Sequence, residues 1–521
     1  MKRLARFIVI ATVLAGLSAC SLTPTYERPS PPMPQAWDDA AAINTDAKTV
    51  ALTETGTAAV SPAVPGSVAP TPTADASNGT QSLTPSTHAA NARASIGVTP
   101  STPPAVPTAV TSDWWTRYGS SELDDLMSRA LAANHDLSAA ASRIEQSRAT
   151  LRSARGQRLP QASASASGSR SRQEINDQNA YGSADEALIT VSYEADLWGG
   201  LAASENAADA RLAATIYDKD SIALVLQADV ATNYFNILAQ RERIAIAEEN
   251  ATAARELLRL VQVRFENGGA NALEVAQQRT ALLSIEAQIP LLQQTLSATR
   301  TALAVLLGEA PQAFNITGQP LTALALPTVL AEQPASLLER RPDFKAVEAS
   351  LMAANADIGA ARATLFPNLS LSASAGVAGA LTGGSTTLAS LAASLTQVLF
   401  DGGQRKASVD FAYAERSELA ENYAQTVLTG LKEVQDSLVD VETATTRIRL
   451  LTELAEQARK AYGLAHVRYE SGADDLLTLL DSQRVQLDAE DNLVQAQASH
   501  YTATTSLFKA LGGGWVAPPT G

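Results

Sequence analysis

Three carboxylates follow a glycine close to the C-terminus, in the stretch "ESGADDLLTLLD" from Glu470 to Asp481. Helix-like sequence extends for dozens of residues on either side, and Gly472 interrupts it. Asp474, Asp475 and Asp481 could bind a metal ion, cap a helix or line a gate for ions. Which of these three roles applies depends on the helices and turns that position the side chains.

Few other residues suggest chemistry. The four histidines are scattered without the spacing of a metal site, so we expect no metal and no cofactor. The sequence has no nucleophile elbow and no phosphate-binding loop, so we do not expect an enzyme. A net charge of −15 argues against a nucleic-acid partner, because neutralising phosphates needs a basic surface.

The N-terminus has the layout of a secretory signal. Basic residues precede an apolar run from Phe7 to Leu17, and "LSAC" ends at Cys20, the only cysteine of the chain. This motif resembles the bacterial lipobox, which predicts a lipidated Cys20; the alternative is an unmodified cysteine within a signal peptide. By the same resemblance, Ser21 favours sorting to the outer membrane. No later run of about 20 apolar residues was found, so we expect no transmembrane helix.

A low-complexity region separates this N-terminus from the rest of the chain. Residues 39–111 are rich in Ala, Thr, Ser, Pro and Gly, which predicts a flexible linker or a disordered insert. We therefore divide the chain into a signal peptide (1–19), a lipidated N-terminus with linker (20–112), two repeats (113–325 and 326–515) and a tail (516–521).

The two repeats are related by a shared order of motifs. The sequence from Asn134 aligns with that from Arg341, and this alignment matches Pro160 to Pro367, 207 positions later. Farther on, "VRFENGGANALEV" aligns with "VRYESGADDLLTL" at an offset of 204. A shared motif order over about 200 residues indicates a tandem duplication.

Each repeat is predicted to contain a helix, a pair of strands, a long helix, a turn and a helix. Alternating apolar and polar residues from Ile189 to Leu197, and again from Leu369, predict strands. The long helices carry apolar residues at seven-residue spacing, which predicts helices that coil around neighbours over about 100 Å. These positions are Val230, Ile237, Ile244, Ala251, Leu258 and Phe265, and then Val434, Val441, Ile448, Ala455, Tyr462 and Tyr469.

Four strands per chain cannot close a barrel, and lipid does not tolerate open sheet edges. Because about eight strands make the smallest closed membrane barrel, several copies must contribute to one barrel, and three would supply twelve. The alternating faces then become lumen and lipid faces, and residues 169–186 and 379–387 become external loops. A soluble sheet that covers the helices is the alternative.

The motifs together resemble the outer-membrane factors of the TolC, OprM and NodT type. The resemblance is carried by "YEADLWGG", "LFDGGQRKA", "RRPDF" and the closing "RYESGADDLLTLLDSQR…LFKALGGGW", and it covers about Asp113 to Trp515. It implies an α+β, mainly α fold: a homotrimer with a 12-strand β-barrel, a 12-helix α-barrel and an equatorial domain. It further implies an outer-membrane exit duct in contact with lipid, docked on a periplasmic adaptor and an inner-membrane pump of the resistance-nodulation-division class.

In such a duct the turns at Gly268 and Gly472 would lie at the periplasmic tips, where helices reverse. Asp474 and Asp475 suit the start of the next helix as caps. Asp481 matches a family aspartate that lines the constricted tip, so we predict a ring of three carboxylates there. Some members carry a second aspartate ring where this chain has Thr478.

The same resemblance concerns the side-chain contacts, here called the latch, that hold neighbouring helices together at the periplasmic tips. Asp474 stands where relatives have a latching arginine, while Glu274 and Tyr469 match an acidic latch residue and its tyrosine partner. One expectation is a hydrogen bond from the Tyr469 hydroxyl to the Glu274 carboxylate. The other is that Tyr469 simply packs in the helical core. Arg264 and Arg468, near helix C-termini, are predicted to complement helix dipoles and to face the adaptor.

Two alternative functions remain open from the sequence: the outer-membrane channel of a type I protein secretion system, and a lipid-anchored periplasmic scaffold without a pore. The exported substrate is not indicated.

Overall fold

The computed structural model describes residues 22–37, 110–175, 178–312, 314–329, 333–379 and 384–516. The predicted signal peptide, Cys20, most of the predicted linker and residues 517–521 lie outside them. In chain order the elements are α1 (Ser121–Ala133), α2 (His135–Gln157), β1 (Gln161–Ile175), β2 (Gln178–Ala195), α3 (Gly200–Glu266), α4 (Ala272–Leu306), α5 (Leu337–Arg340), α6 (Pro342–Ala363), β3 (Asn368–Gly379), β4 (Thr386–Thr396), α7 (Gln404–Glu470) and α8 (Leu476–Ala510).

The predicted repeat is confirmed, because α2–β1–β2–α3–α4 recurs as α6–β3–β4–α7–α8. Pro160 and Pro367 directly precede β1 and β3, as their missing N–H groups predict for the end of a helix. Helices α3 and α7 each contain 67 residues. Gly199 and Gly403 directly precede these two helices as N-cap residues. Their φ angles of 72° and 89° are in the left-handed region, which favours glycine.

The equivalence of the repeats extends to single contacts. Asn134, at the start of α2, donates from Nδ2 to the carbonyl oxygen of Leu306 at 2.9 Å. Arg341, at the start of α6, donates from Nη1 to the carbonyl oxygen of Ala510 at 3.2 Å. Each repeat is therefore closed by a side chain that binds the end of its own last helix.

The long helices pack side by side. α3 packs against α4 and α8, and α8 packs against α7, so α4 and α7 form the two outer sides of this helical layer. Most of the heptad residues are buried or half-buried, as predicted, but Phe265 at the end of α3 is exposed. An aromatic core lies where the short helical turn before α1 meets α3 and α8, with ring centroids 5.1 Å apart for Trp114 and Phe508 and 4.8 Å apart for Tyr118 and Phe235.

Helix α3 is relevant to the expectation that the chain has no transmembrane helix. Within the described residues, α3 contains an 18-residue stretch that is long and apolar enough to cross a membrane. Half of that stretch is buried inside the protein, as in the core helix of a packed bundle. Single polar residues interrupt the apolar ones in α3, so the sequence shows no unbroken apolar run there.

Residues 22–37, which the sequence assigned only to a lipidated N-terminus, pack against the folded repeats, and so does Val110 at the end of the predicted linker. Asn355 Nδ2 donates to the carbonyl oxygen of Pro24 at 2.8 Å. Arg28 contacts Glu348 at 2.5 Å, and Trp37 is buried in the main core. Tryptophan and paired charges give this segment contacts that the composition of the following linker lacks.

The strands form one antiparallel sheet in the order β1-β2-β3-β4. Its outer strands, β1 and β4, have no partner on their outer edges among the described residues. β2 ends at Ala195, so Leu197, predicted as part of the strand, lies in the connection to α3. Of the predicted external stretch 169–186, residues 169–175 and 178–186 continue as paired strand, with Ser169 opposite Ala184, and residues 176–177 lie outside the described residues. Residues 380–383 of the second predicted loop lie outside the described residues.

Candidate functional site: the hairpin tips and the sheet faces

Both helical hairpins turn at a left-handed glycine, as predicted. Gly268 has φ of 75° and Gly472 has φ of 74°. The chain then closes on the ending helix: Gly269 N donates to Arg264 O at 2.7 Å, and Ala473 N donates to Arg468 O at 2.8 Å. These bonds satisfy carbonyls that the helix end would leave free.

Asp475 caps the returning helix α8. Its Oδ1 accepts from Thr478 N at 2.9 Å. This bond and the Thr478 hydroxyl lower the pKa of the Asp475 carboxyl. A lowered pKa means that the cap contributes its full stability above the ordinary pKa of aspartate and loses it as the pH falls through the lowered value. The cap is thus intact at neutral pH and fails only in acid.

Asp474 does not cap α8, contrary to the prediction. Its Oδ2 accepts from Arg468 Nε at 3.1 Å, and its Oδ1 accepts from Asp475 N at 3.0 Å. Arg468 is therefore paired within its own hairpin, while much of its side chain remains exposed. Thr478 is exposed on α8, one turn before Asp481.

The expected bond between Tyr469 and Glu274 is absent among the described residues. Glu274 Oε1 instead accepts from Asn271 N at 3.2 Å, and Glu274 N donates to Asn271 Oδ1 at 3.0 Å, which forms a capping box for α4. The Tyr469 hydroxyl is buried without a hydrogen-bond partner within the described part of the chain. The ring packs with Val261 and Leu476, so the packing alternative is the one observed.

Arg264 joins the two hairpins, a role that the sequence did not predict. Its Nη1 donates to Tyr469 O at 3.1 Å and its Nη2 to Glu470 O at 3.3 Å. Its Cζ lies 4.8 Å from the centroid of the Tyr469 ring. Arg264 thus complements the C-terminus of the neighbouring α7 rather than that of its own helix. Because of these contacts, less of the Arg264 side chain is available to a partner protein.

Asp481 lies on an exposed face of α8, as a gate residue requires, but its carboxylate is paired. Arg484 Nη2 donates to Asp481 Oδ1 at 2.9 Å, and Arg484 Nη1 contacts Asp488 at 3.4 Å. Arginine three residues after an aspartate is a spacing visible in the sequence, and it was missed. The exposed face, here called the α8 stripe, consists of Thr478, Asp481, Arg484, Val485, Asp488, Asn492, Gln495 and Ser499.

The sheet has one apolar and one mainly hydroxyl-bearing face. In the observed register Val191 lies opposite both Ala162 and Ala373, while Ser192 lies opposite Gln161 and Ser372. The apolar face consists of Ala162, Ala164, Ala166, Ala187, Ile189, Val191, Tyr193, Ala195, Leu369, Leu371, Ala373, Ala375, Val377, Ala389, Leu391, Ala393 and Leu395.

The opposite face contains serine and threonine on all four strands, including Ser165, Thr190, Ser374 and Ser390. The hydroxyls of Ser374 and Ser390 are hydrogen-bonded at 2.7 Å. Leu188 and Leu388 interrupt this face, and both lie opposite Gly376, where no side chain competes for the space. The predicted alternation is therefore largely preserved where the four strands pair with one another, from Ala187 to Ala195 of β2.

Comparisons with known proteins agree with this geometry. The chain matches the family model described as "Outer membrane efflux protein" over residues 126–309 and 334–513. It is 37% identical over 421 residues to the pyoverdine export outer membrane protein OpmQ of Pseudomonas aeruginosa, covering 77% of this chain and 87% of the relative.

A second relative is the toluene efflux pump outer membrane protein TtgI of Pseudomonas putida, 34% identical over 400 residues, which are 75% of this chain and 85% of that relative. Among solved structures, the outer-membrane channel OprN superposes with a TM-score of 0.74 at 28% identity. That alignment covers 79% of this chain and 94% of the channel.

Proposed function

The chain belongs to the outer membrane efflux protein family and is the outer-membrane exit duct of an export system, and we propose that it works as a homotrimer. In this proposal the duct docks on a periplasmic adaptor and receives its substrate from an inner-membrane pump of the resistance-nodulation-division class. The observation that supports assembly from several copies is the two-faced sheet, whose outer strands have no partner on their outer edges among the described residues; the number three comes from the family resemblance. Four strands need partners from other copies before the sheet can close in a membrane.

The dimensions of the apolar face support a membrane location for the sheet. From Ala187 to Ala195 this face extends about 27 Å along β2, or about 21 Å along the barrel axis at a strand tilt of about 40°. Membrane barrels have an apolar band about 25 Å tall. Asp185, next on the same face, would mark its outer border.

The N-terminal segment supports lipid anchoring at Cys20. The carbonyl oxygen of Leu22 accepts from Arg362 Nη1 at 3.0 Å, and Arg362 lies six residues before β3 begins. Two residues span at most about 7 Å. The thioether of Cys20 would thus lie close to the periplasmic surface of the membrane, where a lipid chain can insert.

The hairpin tips support docking of the adaptor. Leu273 and Leu477 occupy equivalent positions in the two repeats and are 64% and 63% exposed. Val263 and Val467 form a second exposed pair. Exposed apolar residues that recur in both repeats would give a trimer six similar contact sites at its periplasmic end. Arg468, which is also exposed, would border these sites.

The gate is proposed at the α8 stripe, with Asp481 at the constriction. Three copies would bring three Asp481 and three Arg484 side chains around one axis, so the gate would carry both signs of charge. This differs from the purely acidic ring that the sequence predicted. Arg484 would moderate the attraction of the ring for cations.

Substrate choice is proposed to lie with the pump. The names of two relatives specify pyoverdine and toluene, which differ strongly in size and polarity, although their identity to this chain is similar. A sheet face lined by hydroxyl groups is compatible with both. A type I secretion system would use the same duct with another pump.

The test is reconstitution of the full-length protein in planar bilayers, with its mass determined in detergent. We expect trimers that form discrete channels. Val191→Arg places a charge on the lipid face, at a cost of about 2–4 kcal/mol near the membrane centre, and should impair insertion. Its neighbour Ser192→Arg faces the lumen and should insert but alter conductance.

A stable monomer without conductance would instead support the lipid-anchored scaffold. Equal insertion of both arginine variants would contradict the assignment of the two sheet faces.

A further inference from the structure

Among the residues that the structure assigns to the four strands, only two are basic, and both belong to β1. This strand reads "QASASASGSRSRQEI", with Arg170 and Arg172 beyond its middle, whereas β2, β3 and β4 contain no lysine or arginine. Both arginines are exposed. Their spacing of two residues places them on the same face of β1, with Cα atoms about 7 Å apart.

This face of β1 is the apolar one. Arg170 and Arg172 lie four and six residues after Ala166, so the period of two residues keeps all three on one side of the sheet. Ser169 and Ser171, which alternate with the arginines, belong to the hydroxyl face. In the proposed orientation of the sheet, the two arginines therefore lie on the lipid side of the wall and not in the lumen.

Both arginines lie just beyond the outer border of the apolar band. Asp185 marks this border and lies opposite Gly168 of β1. At about 3.4 Å per residue and a strand tilt of about 40°, Arg170 and Arg172 lie about 5 Å and about 10 Å beyond Gly168 along the barrel axis. The polar layer of a leaflet is about 5–7 Å thick, and a long basic side chain can extend several Å along the surface to reach it. Both guanidinium groups can thus lie at the height of lipid headgroups.

We propose that Arg170 and Arg172 bind the phosphate groups of a lipid in the outer leaflet. A guanidinium group binds phosphate oxygens through paired N–H donors, and two such groups about 7 Å apart can hold one phosphate or two neighbouring ones. The outer leaflet of a bacterial outer membrane offers such phosphates on its glycolipid, lipid A. This inference rests on the proposed membrane location and orientation of the sheet, and it adds a lipid bound at the outer rim.

One described acid faces the same region. The Asp185 carboxylate lies over Gly168, since a Cβ on Gly168 would be 2.9 Å from Asp185 Oδ1. Together with Arg170 and Arg172, it gives the described side chains at this rim one net positive charge per copy. The chain as a whole has a net charge of −15, so the pair is a local basic site on an acidic protein. Attraction to an anionic lipid surface would therefore be concentrated at this rim.

Binding of lipid A to the full-length trimer in detergent tests the proposal, with native mass spectrometry counting the lipids bound as lipid A is added. We expect the unaltered protein to bind lipid A, and Arg170→Gln with Arg172→Gln to bind it about tenfold more weakly, because two charge-assisted contacts are lost. Arg170→Lys with Arg172→Lys should retain part of the affinity, since lysine keeps the charge without the planar fork. Lipid A without its phosphates should bind weakly to all three proteins.

The matched control is Arg447→Gln with Arg449→Gln, which removes the same charge from exposed positions on α7. This control should leave lipid A binding unchanged. Equal losses in the two glutamine variants would reduce the effect to overall charge and overturn the site. Displacement of lipid A by inorganic phosphate at an equal concentration would overturn a lipid as the occupant.

Channel recordings separate this inference from the proposed function. Because the arginines face lipid in the proposal, Arg170→Gln with Arg172→Gln should form channels with the conductance of the unaltered protein. Changed conductance with unchanged lipid A binding would place the arginines in the lumen and overturn the proposal. Normal channels with unchanged lipid A binding would refute the phosphate site alone. An unaltered protein that forms neither trimers nor channels would refute the proposed function, and the site with it.

Discussion

At the residue scale, the charge of the α8 stripe depends on three side chains together. Arg484 contacts Asp481 and Asp488, so these residues carry one net negative charge per chain rather than two. All three are well exposed, and water and salt screen their pairing. Ions that pass the constriction would therefore encounter a weak acidic ring whose strength is adjustable by single substitutions.

Arg484→Gln and Asp481→Asn should shift ion selectivity in opposite directions. The first removes the positive charge and should strengthen the preference for cations and the block by millimolar divalent cations. The second removes the acid at the constriction and should weaken both several-fold. Reversal potentials of reconstituted trimers in a salt gradient would measure the preference.

Asp488→Asn provides the matched control, since it removes an equal charge two turns from Asp481. If the Asp481→Asn channel retained the divalent block of the unaltered protein, the carboxylate ring at this position would be refuted.

Single residues also show what spacing can and cannot predict. The capping role of Asp475 was predictable because a helix cap involves only residues within about three positions of each other in the sequence. The expected bond from Tyr469 to Glu274 was wrong because Asn271, three residues before Glu274, binds the same carboxylate first. A local partner in the sequence thus has priority over a distant one, and "NALE" could have indicated it.

At the element scale, Arg264 connects the two helical hairpins of one copy. Its guanidinium holds two carbonyl oxygens at the end of α7 and lies against the Tyr469 ring. Because Arg264 belongs to the first hairpin and the carbonyls to the second, this contact opposes separation of the hairpins. The sequence did not predict this contact, since nothing in it relates Arg264 to a residue 205 positions away.

Arg264→Ala should therefore open the tip and increase the conductance of the closed duct. Arg264→Lys should restore closure only in part, because an ammonium group lacks the planar fork that holds two acceptors. Arg468 is the equivalent residue of the second repeat and pairs within its own hairpin, so Arg468→Ala should change closed-state conductance much less. Equal leaks in the two alanine variants would contradict a latch at Arg264.

The elements themselves were largely predictable. Prolines before β1 and β3 and the seven-residue spacing in α3 and α7 are local signals that tertiary contacts reinforce. The strand ends were less predictable: β2 extends well beyond the alternating run, because backbone pairing with β1 continues where side-chain alternation stops. Residues 22–37 were assigned only to a lipidated N-terminus, and their packing was not predicted because their contacts lie more than 300 positions away.

At the scale of the whole molecule, both repeats are closed by the same crowded turn. Gly308 follows α4 with φ of 69°, and a Cβ there would collide with the carbonyl oxygen of Ala133. Gly512 follows α8 with φ of 86°, and a Cβ would collide with the carbonyl oxygen of Arg340. Each turn packs the end of the last helix of a repeat, α4 or α8, against the chain just before the first helix of that repeat, α2 or α6. The duplication therefore preserves this junction in both repeats.

Gly308→Ala and Gly512→Ala should both destabilise the assembled protein, and to a similar extent. Each adds the cost of a left-handed alanine, about 1–2 kcal/mol, to a backbone collision that neither helix can relieve without moving. Gly268 and Gly472 have nearly the same φ, but open space surrounds their Cβ positions. Gly268→Ala and Gly472→Ala should therefore cost only the conformational term, and the temperature at which trimers dissociate on semi-native gels should fall less. Equal losses at all four positions would mean that the left-handed conformation alone, and not the junction between helices, sets the requirement for glycine.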